Sequence, residues 1–565
     1  AGGRGGRGRG RVALGEGLGT VQVVLAEGLG PGAAERFGHR RAEEQRVLQQ
    51  LRELSHHRAQ LAELRARAGA EAEGAGPGAE SEDEEEKVKR CVAMLRMRWR
   101  FLCRLDRLAD MEINPEAAGS GDVFAAGGAV NGLTQKLQQL RGPAVEVSEE
   151  FWNGLLGPDD SVFLEHGFLS SLEESGDTGL HRGWQPRFLL ARGGGRLLGA
   201  VPLYLKMDSS GEFCEDMDWI IASHRFGVPH FPKLFVGIPF TPHRGRRLLA
   251  AAWLGPGERA AVEQALVRAL RLLSERAQLG VNLAFSAAEE GKLFEAAGFV
   301  QRLARQAWWT NREPEPYEDF DDFLAALKPK KARAILRQRQ ELAAVEGLEI
   351  EVVDGALDPS AVTVELMTEV FRCCYASTQV RHGNAEQLNS KEIRFDLSID
   401  FFRLLAKRLP HRVLLVLARR RGNDPSAPGE IVGGALCFAK GRRICGRYWG
   451  QPLGLERVDF LHFECCYHKL VEHAIAHGYA SVEPGNGGGS IYRVQRDRGF
   501  EPVLTPSYHC VPQPELREEL GRLAEQAADE GPPSWTAARH SAYAPARRPP
   551  TPSRPPAQAG KEAAR

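Results

Sequence analysis

Several residues with acid-base chemistry lie between positions 447 and 498. Glu483 closes a predicted strand and precedes a Gly-rich loop, a position at which side chains gather around ligands in α/β folds. Its carboxylate could act as a general base or bind an amine. A strand-end Glu that faces water is the alternative, and the residue type alone favours that alternative.

His462 and Glu464 lie near the start of a predicted helix over residues 460–477. They are too close in sequence to share one helix face, but both could point towards the helix N-terminus. His462 could shuttle protons, because an unperturbed imidazole titrates near neutral pH. The alternative is a polar surface residue, which is the more common role of a His at a helix start.

Arg447, Tyr448 and Trp449 end the strand that precedes this helix. Because side chains alternate along a strand, we expect Tyr448 on the face opposite the other two. Tyr448 or Tyr492 could return a proton to a leaving group. The alternative is a core position, which aromatic residues in strands usually occupy.

Two segments could contact phosphate. Gly485–Ser490 could cradle a phosphate through backbone N–H groups, although it lacks the Walker pattern. The basic segment Lys328–Arg339 suits a nucleotide, a tRNA acceptor stem or a phosphorylated substrate, and its candidate residues are Lys330, Lys331, Arg333 and Arg337. An equal alternative is a solvated basic face balanced by the acidic residues Asp319, Asp321 and Asp322.

The candidate residues near Glu483 belong to the second of two segments with the same predicted order of elements. The first segment contains a hairpin (187–203), a helix (262–278), a strand (281–285), then Gly298-Phe299 and a closing strand. The second contains a hairpin (412–436), a helix (460–477), a strand (479–483), then Gly499-Phe500 and a closing strand. Four elements in the same order predict two duplicated α/β lobes.

Composition limits the partners and the location. Lys+Arg and Asp+Glu both total 74, so no net field draws the whole chain onto nucleic acid or an anionic membrane. Ten scattered cysteines without a CxxC pair predict a reducing compartment and no metal site. No stretch approaches the roughly 18 apolar residues of a membrane-spanning helix. We therefore expect a soluble, intracellular protein in the cytoplasm or an organelle.

The two ends of the chain have a different character. The Arg-rich opening residues 1–17 suit a transit peptide or an RGG-like tract. Two amphipathic patterns, at 35–68 and 87–110, flank an acidic Gly-rich linker and predict a helical hairpin. That hairpin could pack on itself or mediate self-association. The Pro- and Arg-rich residues 532–565 are predicted to be disordered.

The order hairpin, helix, strand and Gly-Phe resembles the acyl-CoA N-acyltransferase (GNAT-like) fold. A tandem pair of such lobes resembles the Fem peptidyltransferases, which add amino acids to cell-wall precursors. A narrower resemblance is to the Fem-like, or peptidoglycan biosynthesis/recognition, family. The motifs that carry it are Phe163–Ser175, Gly199–Lys206, Pro232-Lys-Leu, Pro239–Pro242, Gly446–Gly450, Phe460–Cys465, Glu483 with Gly485, and Arg498–Phe500.

The resemblance implies an α/β (α+β) fold with two GNAT-like lobes, each with a mixed central sheet flanked by helices. The predicted organisation is low-complexity or targeting sequence (1–34), helical hairpin with acidic linker (35–112), linker (113–150), first lobe (151–315), basic inter-lobe helix (316–345), second lobe (346–512), and a helix with a disordered tail (513–565). In this fold two strands splay apart after the hairpin and expose backbone N–H groups. Gly433-Gly434 would permit such a splay, and simple packing under a helix is an equal alternative.

The implied activity is transfer of an acyl or aminoacyl group from an activated donor to a small-molecule or peptide amine. Glu483, His462 and Tyr448 are then the catalytic candidates. The substrate-binding candidates are Arg447, Trp449, Glu464, Gly485, Asn486 and Arg498. The alternative is a non-catalytic protein that keeps the fold in order to recognise a glycan or a peptide.

The sequence departs from the family pattern in two ways. A His-Lys pair is expected between Glu483 and Arg498, whereas Ile491–Gln495 stands there, and an Arg such as Arg493 or Arg496 is not equivalent to Lys. Neither lobe carries the Arg/Gln-x-x-Gly-x-Gly/Ala loop with which acetyltransferases bind coenzyme A. Acyl-CoA is therefore one candidate donor and aminoacyl-tRNA, the donor of Fem enzymes, is the other. The zero net charge favours the small donor.

Overall fold

The computed structural model describes residues 10–13, 20–26, 147–214, 217–381, 386–387, 393–422, 429–485 and 489–529. The predicted N-terminal helical hairpin, the linker at 113–146 and the predicted disordered tail lie outside these residues. Among the described residues, no helix is long and apolar enough to cross a membrane.

The first half of the described chain contains ten strands and five α-helices. The strands are β1 (Gly10–Ala13), β2 (Thr20–Ala26), β3 (Trp184–Pro186), β4 (Phe188–Gly193), β5 (Arg196–Val201), β6 (Leu203–Lys206), β7 (Lys233–Val236), β8 (Leu249–Ala250), β9 (Val281–Leu283) and β10 (Val300–Thr310). The helices are α1 (Glu149–Asn153), α2 (His166–Glu174), α3 (Met217–Arg225), α4 (Pro256–Ala277) and α5 (Gly291–Ala296).

The second half of the described chain contains eight strands and nine α-helices. The strands are β11 (Leu348–Asp354), β12 (Glu386–Gln387), β13 (Ile393–Arg394), β14 (Val413–Arg420), β15 (Glu430–Lys440), β16 (Arg443–Gly450), β17 (Ser481–Glu483) and β18 (Glu501–Cys510). The helices are α6 (Phe320–Ala326), α7 (Pro329–Ala343), α8 (Val364–Val370), α9 (Ser377–Arg381), α10 (Ile399–Arg408), α11 (Leu461–Phe463), α12 (Lys469–Ala476), α13 (Gly489–Asp497) and α14 (Pro514–Asp529). Two π-helical segments, Phe371–Ala376 and Glu464–His468, join α8 to α9 and α11 to α12.

The sequence patterns explain the elements that frame the site. In α4, Pro256 fixes the first turn, and the Glu258 side chain accepts a hydrogen bond from the Gly255 amide. In β14 nearly every residue is apolar because both faces are buried. Val413, Leu415 and Leu417 face one core, while Leu414, Val416 and Ala418 face the other.

Two large sheets organise the fold. One has five strands in the order β1-β2-β4-β5-β8, and the other has eleven in the order β11-β14-β15-β16-β17-β10-β18-β9-β7-β6-β3. Pro202 separates β5 from β6, so the predicted single strand of the first hairpin divides between the two sheets. The predicted mixed α/β fold, with mixed sheets flanked by helices, is confirmed.

The closing strands of the two halves are exchanged. The strand β10 ends the first half, yet it pairs with β17 of the second half through Trp309↔Val482 and Thr310↔Ser481. The strand β18 ends the second half, yet it pairs with β9 of the first half through Tyr508↔Leu283 and Cys510↔Val281. Strands β10 and β18 also pair with each other, from Val300↔His509 to Trp308↔Glu501. One continuous sheet therefore crosses both halves.

This exchange predicts that neither half folds alone, because each would lose the sheet neighbours of its closing strand. We expect fragments 1–314 and 315–565 to be insoluble when expressed singly and to form a 1:1 complex when coexpressed, as judged by size-exclusion chromatography. The cut lies in the loop between β10 and α6. Two halves that are separately soluble and monomeric would show that the exchange does not determine folding, and would support 315 as a domain boundary.

Candidate active site between the lobes

The parallel pair β16–β17 ends abruptly at Pro484. These strands pair through Arg443↔Ser481, Ile444↔Val482 and Cys445↔Glu483. The Ala480 amide donates to the Arg442 carbonyl, and continuing this alternation places residue 484 opposite the carbonyl of Gly446. Pro has no N–H, so the ladder cannot continue. Residues 446–450 of β16 keep β15 on one edge and, among the described residues, have no paired strand on the other.

A side chain from the first lobe takes the place of the missing donor. His243, in the loop between β7 and β8, donates from Nε2 to the Gly446 carbonyl at 3.0 Å. Its Nδ1 lies 3.0 Å from Glu483 Oε1, and both side chains are fully buried. The Arg244 amide donates to the same carboxylate oxygen at 3.1 Å. Glu483 therefore faces the first lobe and neither water nor an open crevice.

Electrostatics keep the buried Glu483 carboxyl ionised. Burial alone would raise its pKa, but His243, the Arg443 guanidinium and the Arg244 amide together hold the pKa of Glu483 below its ordinary value of 4.5. Arg443 approaches Oε2 to 4.0 Å. Both ring nitrogens of His243 therefore face acceptor oxygens, Nε2 the Gly446 carbonyl and Nδ1 the Glu483 carboxylate.

A second buried network fixes the loop that carries His243. Glu290 accepts hydrogen bonds from the amides of Arg247 and Leu248 and from the Ser286 hydroxyl. The Arg247 guanidinium donates to the carbonyls of Ala284 and His243. Burial lowers the pKa of Arg247 to about 10, so it stays charged at neutral pH. The loop is thus anchored to the first lobe.

Arg447 and Tyr448 lie together, and the predicted alternation of side chains is wrong at this point. The pairing of β15 with β16 shifts between Leu436↔Tyr448 and Cys437↔Gly446, which leaves Arg447 in a bulge. Its guanidinium lies over the Tyr448 ring at 4.4 Å and donates to the Thr241 hydroxyl at 3.4 Å. Burial raises the pKa of Tyr448, so its phenol stays protonated at neutral pH.

His462 and Trp449 pack together on the other face of β16. Their rings are 5.3 Å apart, and His462 is also 5.5 Å from Tyr467. Burial, with the charges of Arg498 and Arg457, lowers the pKa of His462 to about 4. The imidazole is therefore neutral at physiological pH.

The predicted splay is not found at Gly434, because β15 pairs there with β14 and, through Gly434↔Gly450, with β16. A Cβ at Gly433 would lie 3.1 Å from both Leu461 and Trp449. This glycine therefore packs under α11, which was the alternative. The two strands that separate are instead β16 and β17, which stop pairing after Cys445↔Glu483.

Glu464 and Arg498 hold helices in place. Glu464 contacts His468 and Arg339 at 3.0 Å each. Burial alone would raise the pKa of Glu464, but these two partners outweigh it and lower the pKa. Arg498 stacks on Phe463 at 3.5 Å and donates to Gln338. Both residues thereby fasten α7 to the second lobe. Gly485, which has φ of +87°, turns the chain after Pro484, and Asn486 lies outside the described residues.

The basic helix α7 divides its cations into two sets. Lys331 donates to the Arg496 carbonyl, and Arg339 contacts Glu464 and Glu472. The exposed set is Lys330, Arg333 and Arg337, which we call the basic stripe. These three share a helix face because they are three and four positions apart. Within the stripe, Arg337 contacts only its helix neighbour Glu341 among the ion pairs of the described residues.

A family model called FemAB-like, described as peptidoglycan biosynthesis/recognition, matches residues 144–542. The match spans well over half of the chain. The chain belongs to the FemAB-like family. Membership in this family supports acyl or aminoacyl transfer as the general class of activity.

Solved structures similar to this FemAB-like chain share little of its sequence. FemX is 12% identical, with 68% of this chain and 99% of FemX covered and a TM-score of 0.39. L-PGS from Bacillus licheniformis is 12% identical, with 66% and 98% covered and a TM-score of 0.35. A tandem GNAT protein from the clavulanic acid biosynthesis pathway is 13% identical, with 59% and 84% covered and a TM-score of 0.29. No curated protein matches the chain in sequence.

Sequence reasoning singled out Glu483 in this FemAB-like chain but missed its partners. His243 is 240 positions away and follows the Pro239–Pro242 motif directly. Cys445 and Arg443 lie on the neighbouring strand, in a segment without a recognisable short motif. The available signal was Pro484, because a Pro directly after a predicted strand marks the end of its ladder.

The buried pair predicts a large stability loss for Glu483→Gln. Removing one partner of a buried ion pair leaves the other uncompensated, so we expect the free energy of unfolding in urea to fall by about 3 kcal/mol. Glu501→Gln is the matched control, because Glu501 is 70% exposed and pairs with Arg496 at the surface; its loss should stay below about 1 kcal/mol.

The pH dependence follows from the lowered pKa of Glu483. Its stabilising contribution should be fully present above about pH 4.5, the ordinary value, and should disappear as the pH falls through the lower folded value. The difference in stability between wild type and Glu483→Gln should therefore shrink under acid. A difference that is independent of pH would contradict an ionised Glu483.

Proposed function

We propose that this chain transfers an acyl or aminoacyl group from an activated donor to an amine, along the free edge of β16. The observation that carries the proposal is the end of the β16–β17 ladder at Pro484. Beyond it, no strand of the described part of the chain pairs with one edge of residues 447–450, so a donor could lie there as an added strand would. Backbone groups on such an edge can polarise the donor carbonyl and stabilise the oxyanion that forms.

The residues beside this edge suit the two proton transfers of acyl transfer. Tyr448 and His462 lie on opposite faces of β16, so a carbonyl at the edge could be approached from both sides. The Tyr448 phenol, protonated at neutral pH, can donate a proton to the leaving group. The neutral His462 ring can accept a proton that the attacking amine loses as the tetrahedral intermediate forms. Arg447 donates a hydrogen bond to Thr241 on the side of the cleft where the Tyr448 phenol lies.

Glu483 has a different role in this proposal from the one that its sequence position indicated. Because it is enclosed between His243, Arg244 and Arg443, it is a positioning residue that fixes the start of the free edge. A base that touches the amine must be reachable, and His462, which is only half-buried, meets that condition better.

The exposed cations support a small acyl donor. Of the six cations between Lys328 and Arg339, Lys331 and Arg339 have carbonyl or carboxylate partners within the protein. Four cations remain exposed, Lys328 and the three of the basic stripe, and these are too few for the extended phosphate contacts that tRNA binding commonly uses. We propose acyl-CoA or a similar small thioester as the donor, aminoacyl-tRNA as the alternative, and a small-molecule or peptide amine as the acceptor.

Tyr448→Phe tests the assignment of the acid. We expect kcat for donor-dependent modification of an amine pool, followed by mass spectrometry, to fall by about 100-fold. The aromatic ring and its packing against Tyr375 are kept, so stability should change little. Tyr492→Phe, the second candidate from the sequence, should retain activity. The assignment of Tyr448 is wrong if the two variants behave alike.

Reversal of the basic stripe tests the donor. The variant combines Lys330→Glu, Arg333→Glu and Arg337→Glu, and the matched control combines Arg268→Glu, Arg276→Glu and Lys292→Glu, all exposed residues of the first lobe. If the donor is a small acyl thioester, both variants should transfer the acyl group at rates close to that of wild type.

A tRNA donor would give a different pattern. The stripe variant alone would lose tRNA binding, and the slope of log affinity against log salt would flatten by about 0.7 for each lost contact. If neither donor is used and a cell-wall peptide or glycan fragment still raises the melting temperature, the chain is a binding protein and not a transferase.

A further inference from the structure

Three side chains with metal-binding atoms meet where the lobes join. They are His243 from the loop after β7, Cys445 on β16 and Glu483 on β17, and their donor atoms all lie within 4.8 Å of one another. All three residues are buried. The group draws on both lobes, and an ion held by these residues would therefore link them.

The hydrogen bonds around this group orient it for a cation. Because His243 Nε2 donates to the Gly446 carbonyl, Nδ1 is the nitrogen left to face Glu483. Nδ1 and Glu483 Oε1 are 3.0 Å apart, but neither His243 Nδ1 nor Glu483 Oε2 has an aligned hydrogen-bond partner among the described residues. Two electron-rich atoms at that distance repel unless a proton or a cation lies between them.

We propose that His243, Cys445 and Glu483 bind a zinc-class divalent metal ion. Imidazole nitrogen, thiolate sulfur and carboxylate oxygen are the ligands that Zn²⁺ prefers, and the two oxygens of Glu483 allow three residues to supply four donor atoms. The outer contacts match those of metal sites, where a ligating His donates its other N–H to a carbonyl and a ligating carboxylate accepts a hydrogen bond. Gly446 and the Arg244 amide provide these contacts.

The charge around the site is compatible with the ion. With Zn²⁺ bound, a thiolate, a carboxylate and a neutral imidazole give the site a net charge of zero. Arg443, 4.0 Å from Glu483 Oε2, would therefore face a neutral metal site. Tetrahedral ligands of zinc stand roughly 3.5 Å apart. Donor atoms near the 4.8 Å limit of the group must therefore approach by about an ångström, whereas Nδ1 and Oε1, 3.0 Å apart, must separate slightly.

The site is enclosed, so the ion would stabilise the junction of the lobes and would not contact substrate. Binding of this ion would be independent of the proposed transfer reaction. Its tests measure metal binding directly, and a failure here leaves the function of the β16 edge open.

The experiment loads the untagged full-length protein with Zn²⁺ or Co²⁺, removes the excess by gel filtration and measures bound metal by mass spectrometry. We expect about one equivalent in wild type and a thiolate-to-cobalt charge-transfer band in the Co²⁺ form. Cys445→Ser should lose the band and retain less than about a tenth of the metal. His243→Gln should behave in the same way.

Cys437→Ser is the matched control. Cys437 is equally buried, on the adjacent strand β15, but it faces the opposite core, so this variant should keep the metal and the band. Circular dichroism establishes that each variant is folded. The proposal is overturned if wild type retains no metal and shows no cobalt band, or if Cys445→Ser binds as wild type does.

Discussion

The hydrogen bond from His243 to the Gly446 carbonyl determines how the two lobes fit together. Pro484 removes the strand donor that this carbonyl would otherwise use, and a buried carbonyl without a partner costs about 1–3 kcal/mol. The first lobe supplies the missing donor from a side chain. The cleft of the second lobe therefore begins where the first lobe completes its hydrogen bonding, and a change in either lobe alters the starting point of that edge.

The rest of the junction holds this contact in place. Arg247 and Glu290 fix the loop that carries His243, and the exchanged strand β10 brings Trp308 to the same region. The guanidinium groups of Arg244 and Arg443 lie over the Trp308 ring at 5.4 and 5.0 Å. An aromatic face is a favourable surface for such cations. Two arginines can therefore lie side by side next to the buried Glu483 without facing each other directly.

Local patterns predicted the fold better than the site. The hairpins β4–β5 and β14–β15, the helix α4 and the strands β9 and β17 follow from apolar periodicity and from Gly or Pro at their ends, all within a short stretch of chain. The exchange of β10 and β18 depends on pairing between residues about 200 positions apart, which periodicity cannot report. Arg447 and Tyr448 were expected on opposite faces of β16 but lie together. The extra residue in the bulge shifts every later side chain to the other face.

Glu483 illustrates the same limit at the level of chemistry. Its position after a strand and before glycines was visible in the sequence, and so was the Pro that ends the ladder. Its burial was not visible, because His243 and Arg244 come from the other lobe. The helix that bears Glu464 and His462 was predicted, yet its π-helical segment and the contact of Glu464 with Arg339 depend on tertiary packing.

The exchange of closing strands also has an evolutionary consequence. Two lobes that arose by duplication normally diverge as separate units, and either can be lost or recombined with other genes. Here each lobe carries a strand that pairs with the other lobe, so a gene that lost either lobe would encode no complete sheet. Selection on β10 thus acts through the second lobe and selection on β18 through the first. We expect the pair to be inherited as a single unit, with substitutions in one closing strand compensated in the other.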